Sequence, residues 1–140
     1  MSFSTKFKIN KEKAKEYHNQ FLNPAEDFVG ILEFVSEIRK INTKNGEVEV
    51  VDAKVKGYDT REVKIKDGNN IIIKQEKVEY DDIYSLVLSK IVIADKLKKF
   101  EPLIGKKIVI VGLGKREGKN YLDYYVATEQ EAIASGVLTL

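Results

Sequence analysis

The chain has 140 residues, 43% hydrophobic and 33% charged, with a formal net charge of +2, one histidine and no cysteine. That length encloses one hydrophobic core, the composition excludes a wholly disordered chain, and no run approaches the ~20 apolar residues of a membrane-spanning helix. Without cysteine there is no disulfide framework, thiolate metal site, zinc knuckle or cysteine nucleophile, and the lone His18 sits on an amphipathic segment with no nucleophile to activate, so neither enzyme activity nor a cofactor is expected.

Residues 1–27 read as an N-terminal extension. A short extended piece over residues 3–9 precedes a helix over residues 11–22, which Asn23-Pro24 ends because proline disfavours helical geometry in the residue before it. Tyr17, Phe21 and Leu22 form a narrow apolar stripe on that helix, with His18 on its surface. The first ten residues contain no continuous hydrophobic segment, which predicts an intracellular, cytoplasmic protein. Abundant Lys, Glu and Ile beside one Met resembles the usage of thermophiles.

The body spans residues 28–128. Val29 to Val35, continuing to Ile38 and Ile41, predicts a long strand in which Gly30 permits a bend or bulge. Asn45-Gly46 supplies the positive φ angles of a tight hairpin turn, with Val48 to Lys56 as the return strand. Apolar positions there change phase between Val50 and Val51, as one inserted residue produces, which predicts a bulge. Residues 63–66 and 71–74 flank Asp67-Gly68-Asn69-Asn70 as further strand with a turn. Asp81 or Asp82 then caps a helix running towards Phe100, stopped by Pro102. Residues 86–94, LVLSKIVIA, fit a buried strand as well as a helix; the pattern continuing through Leu97 favours the helix. Two strands joined by a glycine-bearing turn follow over residues 104–127, then a short helix around residues 129–134 within a C-terminal tail of residues 129–140.

Charge is unevenly spread. Between Lys96 and Lys119 eight basic residues stand against Glu101 and Glu117, a local excess of +6, whereas Glu76, Glu79, Asp81 and Asp82 gather elsewhere. Those acids are simplest as helix caps and dipole partners, with a Mg²⁺-dependent nuclease around Asp81 and Asp82 the weaker alternative. Gly112-Leu113-Gly114 with Gly118-Lys119-Asn120 fails the GxxxxGK[ST] phosphate-loop pattern and lies between strands rather than opening a helix. Past the turn, Leu122, Tyr124 and Val126 fall on one face of a strand and Tyr121, Asp123 and Tyr125 on the other.

A hairpin that sets aromatic rings beside cations suits an unpaired polynucleotide, because ammonium and guanidinium groups neutralise phosphates while rings stack on bases at ~1–3 kcal/mol each. Lys44, Lys54, Lys56, Arg61, Lys64, Lys115, Arg116 and Lys119 are the expected phosphate contacts, continuing as a basic groove, and Tyr58, Tyr121 and Tyr125 the expected stacking rings. Glu49 and Asp52 count against that groove.

The element order, together with Lys44-Asn45-Gly46, Leu103-Ile104-Gly105-Lys106-Lys107 and the hairpin from Lys115 to Tyr125, resembles OB-fold single-strand-binding proteins. The resemblance implies a mainly β fold: an OB-like five-stranded Greek-key barrel with one helix between strands 3 and 4 and short terminal helices. It also implies sequence-tolerant single-stranded DNA binding in replication, recombination or repair, with RNA an open alternative, since discrimination depends on one hydroxyl. The competing expectation is a structural or protein-interaction β-barrel that does not bind nucleic acid; a homo-oligomer fits either.

Overall fold

In the computed structural model the described residues are 8–11, 14, 20–115 and 117–139. The predicted segment 3–9, all but its last two residues, lies outside them, as do Tyr17, His18 and Arg116. Among the described residues the chain is mainly β: β1 (Gln20–Leu22), β2 (Val29–Phe34), β3 (Arg39–Thr43), β4 (Gly46–Asp67), β5 (Asn70–Val87), helix α1 (Ile91–Lys98), β6 (Lys107–Lys115), β7 (Leu122–Thr128) and helix α2 (Glu129–Ala134). No described helix is long and apolar enough to cross a membrane.

The strands form one seven-stranded mixed sheet ordered β1-β5-β4-β2-β6-β7, with β3 also paired to β4. The sheet is not closed. Among the described residues β7 pairs only β6, while the outer edge of β5 takes β1 in parallel through Gln20, Phe21 and Leu22. The mainly β expectation stands, but where an OB-like five-stranded barrel is expected the described strands form an open, seven-stranded sheet. The end of the expected N-terminal helix, residues 20–22, is strand because Leu22 pairs with Leu86 and is buried there.

Alternation assigns the two faces. Leu32, Phe34, Val51, Ala53, Val55, Leu86, Ile108, Ile110 and Tyr124 point to one side and form the core with Phe28 and Leu103. Helix α1 covers that side by burying Ile93, Ala94 and Leu97. An eight-residue helix opening Ile-Val-Ile has no stability of its own, and full burial of Ile93 and Leu97, at ~1.5–3 kcal/mol each, holds it in place. On the opposite, outer face α2 packs over part of β6 and β7, burying Ala132. Thr128 caps its N-terminus: its Oγ1 accepts from the Glu131 amide at 3.2 Å and donates to Glu131 Oε1 at 2.9 Å.

A hairpin joins β3 and β4 as expected, but it turns through Lys44 and Asn45, and of the Asn45-Gly46 pair Gly46 alone takes a positive φ, 110°; Asp67-Gly68 leads β4 into β5 with Gly68 at φ 62°. Four expectations change. The first long strand breaks into β2 and β3 at residues 35–38, and Gly30 makes no bulge. It pairs squarely with Gly57 and leaves room for the Phe28 ring, which a Cβ would strike. The Val50/Val51 phase change is no bulge either, since the β4–β5 register runs unbroken. Val50 is buried on the outer face, beyond the main cluster, and Val51 in the core. Finally, residues 81–87 are strand, so Asp81 and Asp82 cap nothing; the helix starts at Ile91. Tyr80, Tyr84 and Leu86 set the period-two pattern that wins there, since all three lie on the core side.

Candidate nucleic-acid interface

Register fixes what the outer face presents. Tyr58 on β4 stands opposite Val29 on β2, Val29 opposite Val111 on β6, and Val111 opposite Tyr125 on β7, so one rung carries two tyrosines separated by two valines. The next rung reads Lys56, Ile31, Val109, Ala127, and the one after it Lys54, Glu33, Lys107. On β5 these rungs end in Glu79, Asp81 and Ile83. At about 4.8 Å per strand, Tyr58 and Tyr125 sit three strand spacings apart, about 14 Å.

A cleft of about 420 Å³ opens here. Val29, Ile31 and Val111 line its floor, Lys56 and Tyr58 one side, and Val137 and Leu138, just past α2, the other. Tyr58 is 44% exposed, and Lys77 Nζ lies 4.6 Å from its ring centroid while pairing with Glu79 at 3.5 Å. The Tyr125 hydroxyl shares a hydrogen bond with Ser135 Oγ at 3.2 Å, which ties the ring to the end of α2. The face is thus apolar in the middle and cationic along β4, with Glu33, Glu79 and Asp81 interspersed.

The two acids counted against the groove are already engaged. Asp52 pairs with Arg39 at 3.1 Å and accepts from Ser85 Oγ at 2.6 Å, and Glu49 pairs with Lys98 at 3.1 Å. The local basic excess between Lys96 and Lys119 is likewise partly spent inside the fold: Lys96 Nζ donates to the Tyr124 carbonyl at 2.6 Å, Lys98 meets Glu49, and Lys106 donates to the Phe100 carbonyl.

The remaining expected contacts divide by position. Lys64 is exposed on the outer face of the β4–β5 hairpin, which runs on past the Tyr58 rung. The β6–β7 hairpin leaves the sheet at the same end, carrying Lys115, Lys119 and the 42% exposed Tyr121 at its tip. Its register shifts between Gly112 and Gly114, so Lys115 comes opposite Leu122 and onto the core-side face, away from Tyr125. Arg116 is outside the described residues. Lys44 lies in the β3–β4 turn at the other end of β4, remote from the tyrosine rung.

Arg61 does not join the groove. Odd positions of β4 face the core side, where its guanidinium donates to Asp59 at 3.0 and 3.2 Å and to the Asn23 carbonyl at 2.6 Å. Asp59 is fully buried and also accepts from the Tyr80 hydroxyl at 2.9 Å. Burial alone would pull the Arg61 pKa down, but the hydrogen bonds to Asp59 and Tyr80 outweigh it and raise it. The same burial, with the Arg61 charge nearby, lowers Lys90. Arg61 is a structural residue.

Asp81 and Asp82 are adjacent on a strand and point to opposite faces, so they do not share a cation. No group of three or more metal-binding side chains occurs among the described residues. The glycines at 112 and 114 serve packing: a Cβ on Gly112 would run into the Glu26 carbonyl, and Gly114 takes φ 71° while its amide donates to that carbonyl at 3.2 Å. Lys77, Lys107 and the valine floor escaped the sequence reading. The available signal was β6, which is apolar at both parities, Ile108 and Ile110 inward and Val109 and Val111 outward. A strand buried on one side alone does not need that. No protein-family model, curated protein or solved structure matches this chain.

Proposed function

We propose that the protein binds single-stranded nucleic acid without strong sequence preference, DNA first and RNA as an alternative, in replication, recombination or repair. The observation that carries this reading is the single rung joining Tyr58 and Tyr125 across a valine floor, with Lys56 on the next rung and Lys54 on the one after it. Bases stack on Tyr58 and Tyr125, and the backbone runs along Lys54 and Lys56 towards Lys64, with Lys119 and Tyr121 of the β6–β7 tip at the same end of the sheet. The chain order β2–β3, β4, β5, α1, β6, β7 supports an opened OB-like arrangement in which β1 occupies the edge of β5.

Gel-shift titration of a labelled single strand tests the assignment. Tyr58→Ala is expected to weaken binding by about fivefold or more, the low end of what one stacked base contributes. Replacing both Lys54 and Lys56 by alanine is expected to flatten the dependence of log affinity on log salt by about 1.4, at ~0.7 per phosphate contact. Unchanged affinity and slope in both variants would contradict the site. Glu33, Glu79 and Asp81 on the same face favour one second reading, a protein-interaction module that uses the apolar cleft. Absence of any oligonucleotide binding at low salt would leave that reading standing.

A further inference from the structure

Beyond the Tyr58 rung, β4 and β5 continue as a two-stranded arm from about Thr60 to Lys77, and every residue from Lys64 to Lys77 is exposed. Among the described residues no strand pairs with the outer edge of β5 between Asn70 and Ile83. The arm is nonetheless apolar at its end. Ile71 is 65% and Ile73 60% exposed, with Ile65 and Ile72 also exposed on the opposite side. An isolated two-stranded ribbon is marginal in water, and a cluster of bare isoleucines on one marks a surface that something covers.

We propose that the occupant is a second copy of this chain, whose β5 pairs antiparallel with β5 about a two-fold axis passing through Gln75. Charge complementarity along this edge favours self-pairing. A two-fold axis perpendicular to the sheet requires opposed residues to point to the same side, so one residue must lie opposite itself. An axis at Lys74, Glu76 or Lys77 sets like charges face to face. At Gln75 the central position is neutral, Lys74 meets Glu76 of the second copy, and Ile72 meets Val78, each contact occurring twice. On the other side Ile73 and Ile71 lie against Lys77 and Glu79 of the second copy, whose aliphatic stems cover them. An axis at Val78 would drive the ladder to Tyr84, where β1 already pairs, and would leave Ile71 uncovered. A polyanion is the poorer match for this edge, because the arm's cations Arg61, Lys64, Lys66, Lys74 and Lys77 alternate with Glu62, Asp67, Glu76 and Glu79.

Sedimentation equilibrium of the full chain, without nucleic acid, tests the proposal. Wild type is expected to dimerise reversibly. Lys74→Glu and Glu76→Lys are each expected to weaken the dimer by about tenfold, because each sets two like-charge pairs across the axis. The double reversal Lys74→Glu/Glu76→Lys restores opposite charges and is expected to recover the wild-type constant, whereas Ile72→Asp abolishes association. All three positions are exposed on the arm, and an unchanged far-ultraviolet circular dichroism spectrum identifies a folded variant. A wild-type chain that stays monomeric overturns the proposal, as does a double reversal no tighter than the single ones. Monomers whose arm variants lose oligonucleotide binding would overturn it in favour of a nucleic-acid contact.

Discussion

Glu37 shows how one half-buried carboxylate holds a long-range joint. Its oxygens accept from the amides of Leu103 at 2.8 and 3.0 Å and Ile104 at 2.8 Å, fastening the β2–β3 break to the segment leading into β6. Those amides, with a smaller contribution from the Lys106 charge, depress the carboxyl below its ordinary 4.5. A depressed carboxyl stabilises the fold above its unfolded value and loses that contribution as pH falls through the folded one. Glu37→Gln should therefore melt below wild type at neutral pH, with the gap closing as pH drops below about 4.5, read from melting temperatures across the acid range. A gap that does not change with pH would deny the amide contacts. Arg61 is the opposite case, a cation facing inward. Arg61→Leu leaves the Asp59 carboxylate buried beside Tyr80 without its cation, and urea unfolding should show a loss of about 3 kcal/mol. Oligonucleotide affinity of the folded variant should be unchanged, since the guanidinium lies off the outer face. Tyr124, buried under the chain at residues 24 and 25, donates to the Pro24 and Ala25 carbonyls at 3.1 Å, and burial, with the Glu26 charge, pushes its pKa up to about 12.

Among the elements, the β6–β7 hairpin repays attention because its shape depends on two backbone approaches. Gly112 lies under the Glu26 carbonyl and Gly114 follows with positive φ, which lets the segment before β2 cross the sheet and turns Lys115 to the core side. Gly112→Ala should cost about 1–3 kcal/mol in denaturant unfolding, as overpacking against backbone does, and a neutral result would remove the close approach from the account. Sequence alone made much of this readable. Asn45-Gly46, Asp67-Gly68 and the alternation of Leu122, Tyr124 and Val126 mark local events, which turn chemistry and period two report directly. The helix at residues 81–100 was misplaced because Ile83, Val87 and Ile91 fall at both helical and strand-compatible spacing. Only the partner strand β4 decides, and it lies about thirty positions away in the chain. The Val50/Val51 phase change was visible, but its cause, two faces covered in succession, depends on where β3 ends and β2 begins as partners of β4.

For the molecule as a whole, net charge predicts little and placement much. A formal +2 conceals a face on which Lys56 and Tyr58 line an apolar cleft with Lys54 farther along the same strand, while Lys96, Lys98 and Lys106, which make the sequence look locally basic, are bound within the fold. The candidate site was half legible from sequence: Tyr58, Tyr125, Lys54 and Lys56 share a face because parity is local. That Tyr58 and Tyr125 share a rung depends on β2 and β6 lying between their strands, and that Arg61 leaves the groove depends on a buried Asp59 that no spacing reveals. The proposed function is tested most directly by fluorescence anisotropy with labelled single-stranded and duplex oligonucleotides of one sequence, each titrated at two salt concentrations. The account predicts tighter binding to the single strand and a marked loss of affinity at the higher salt as counterion release weakens. No binding at low salt, or equal affinity for the duplex, would contradict it.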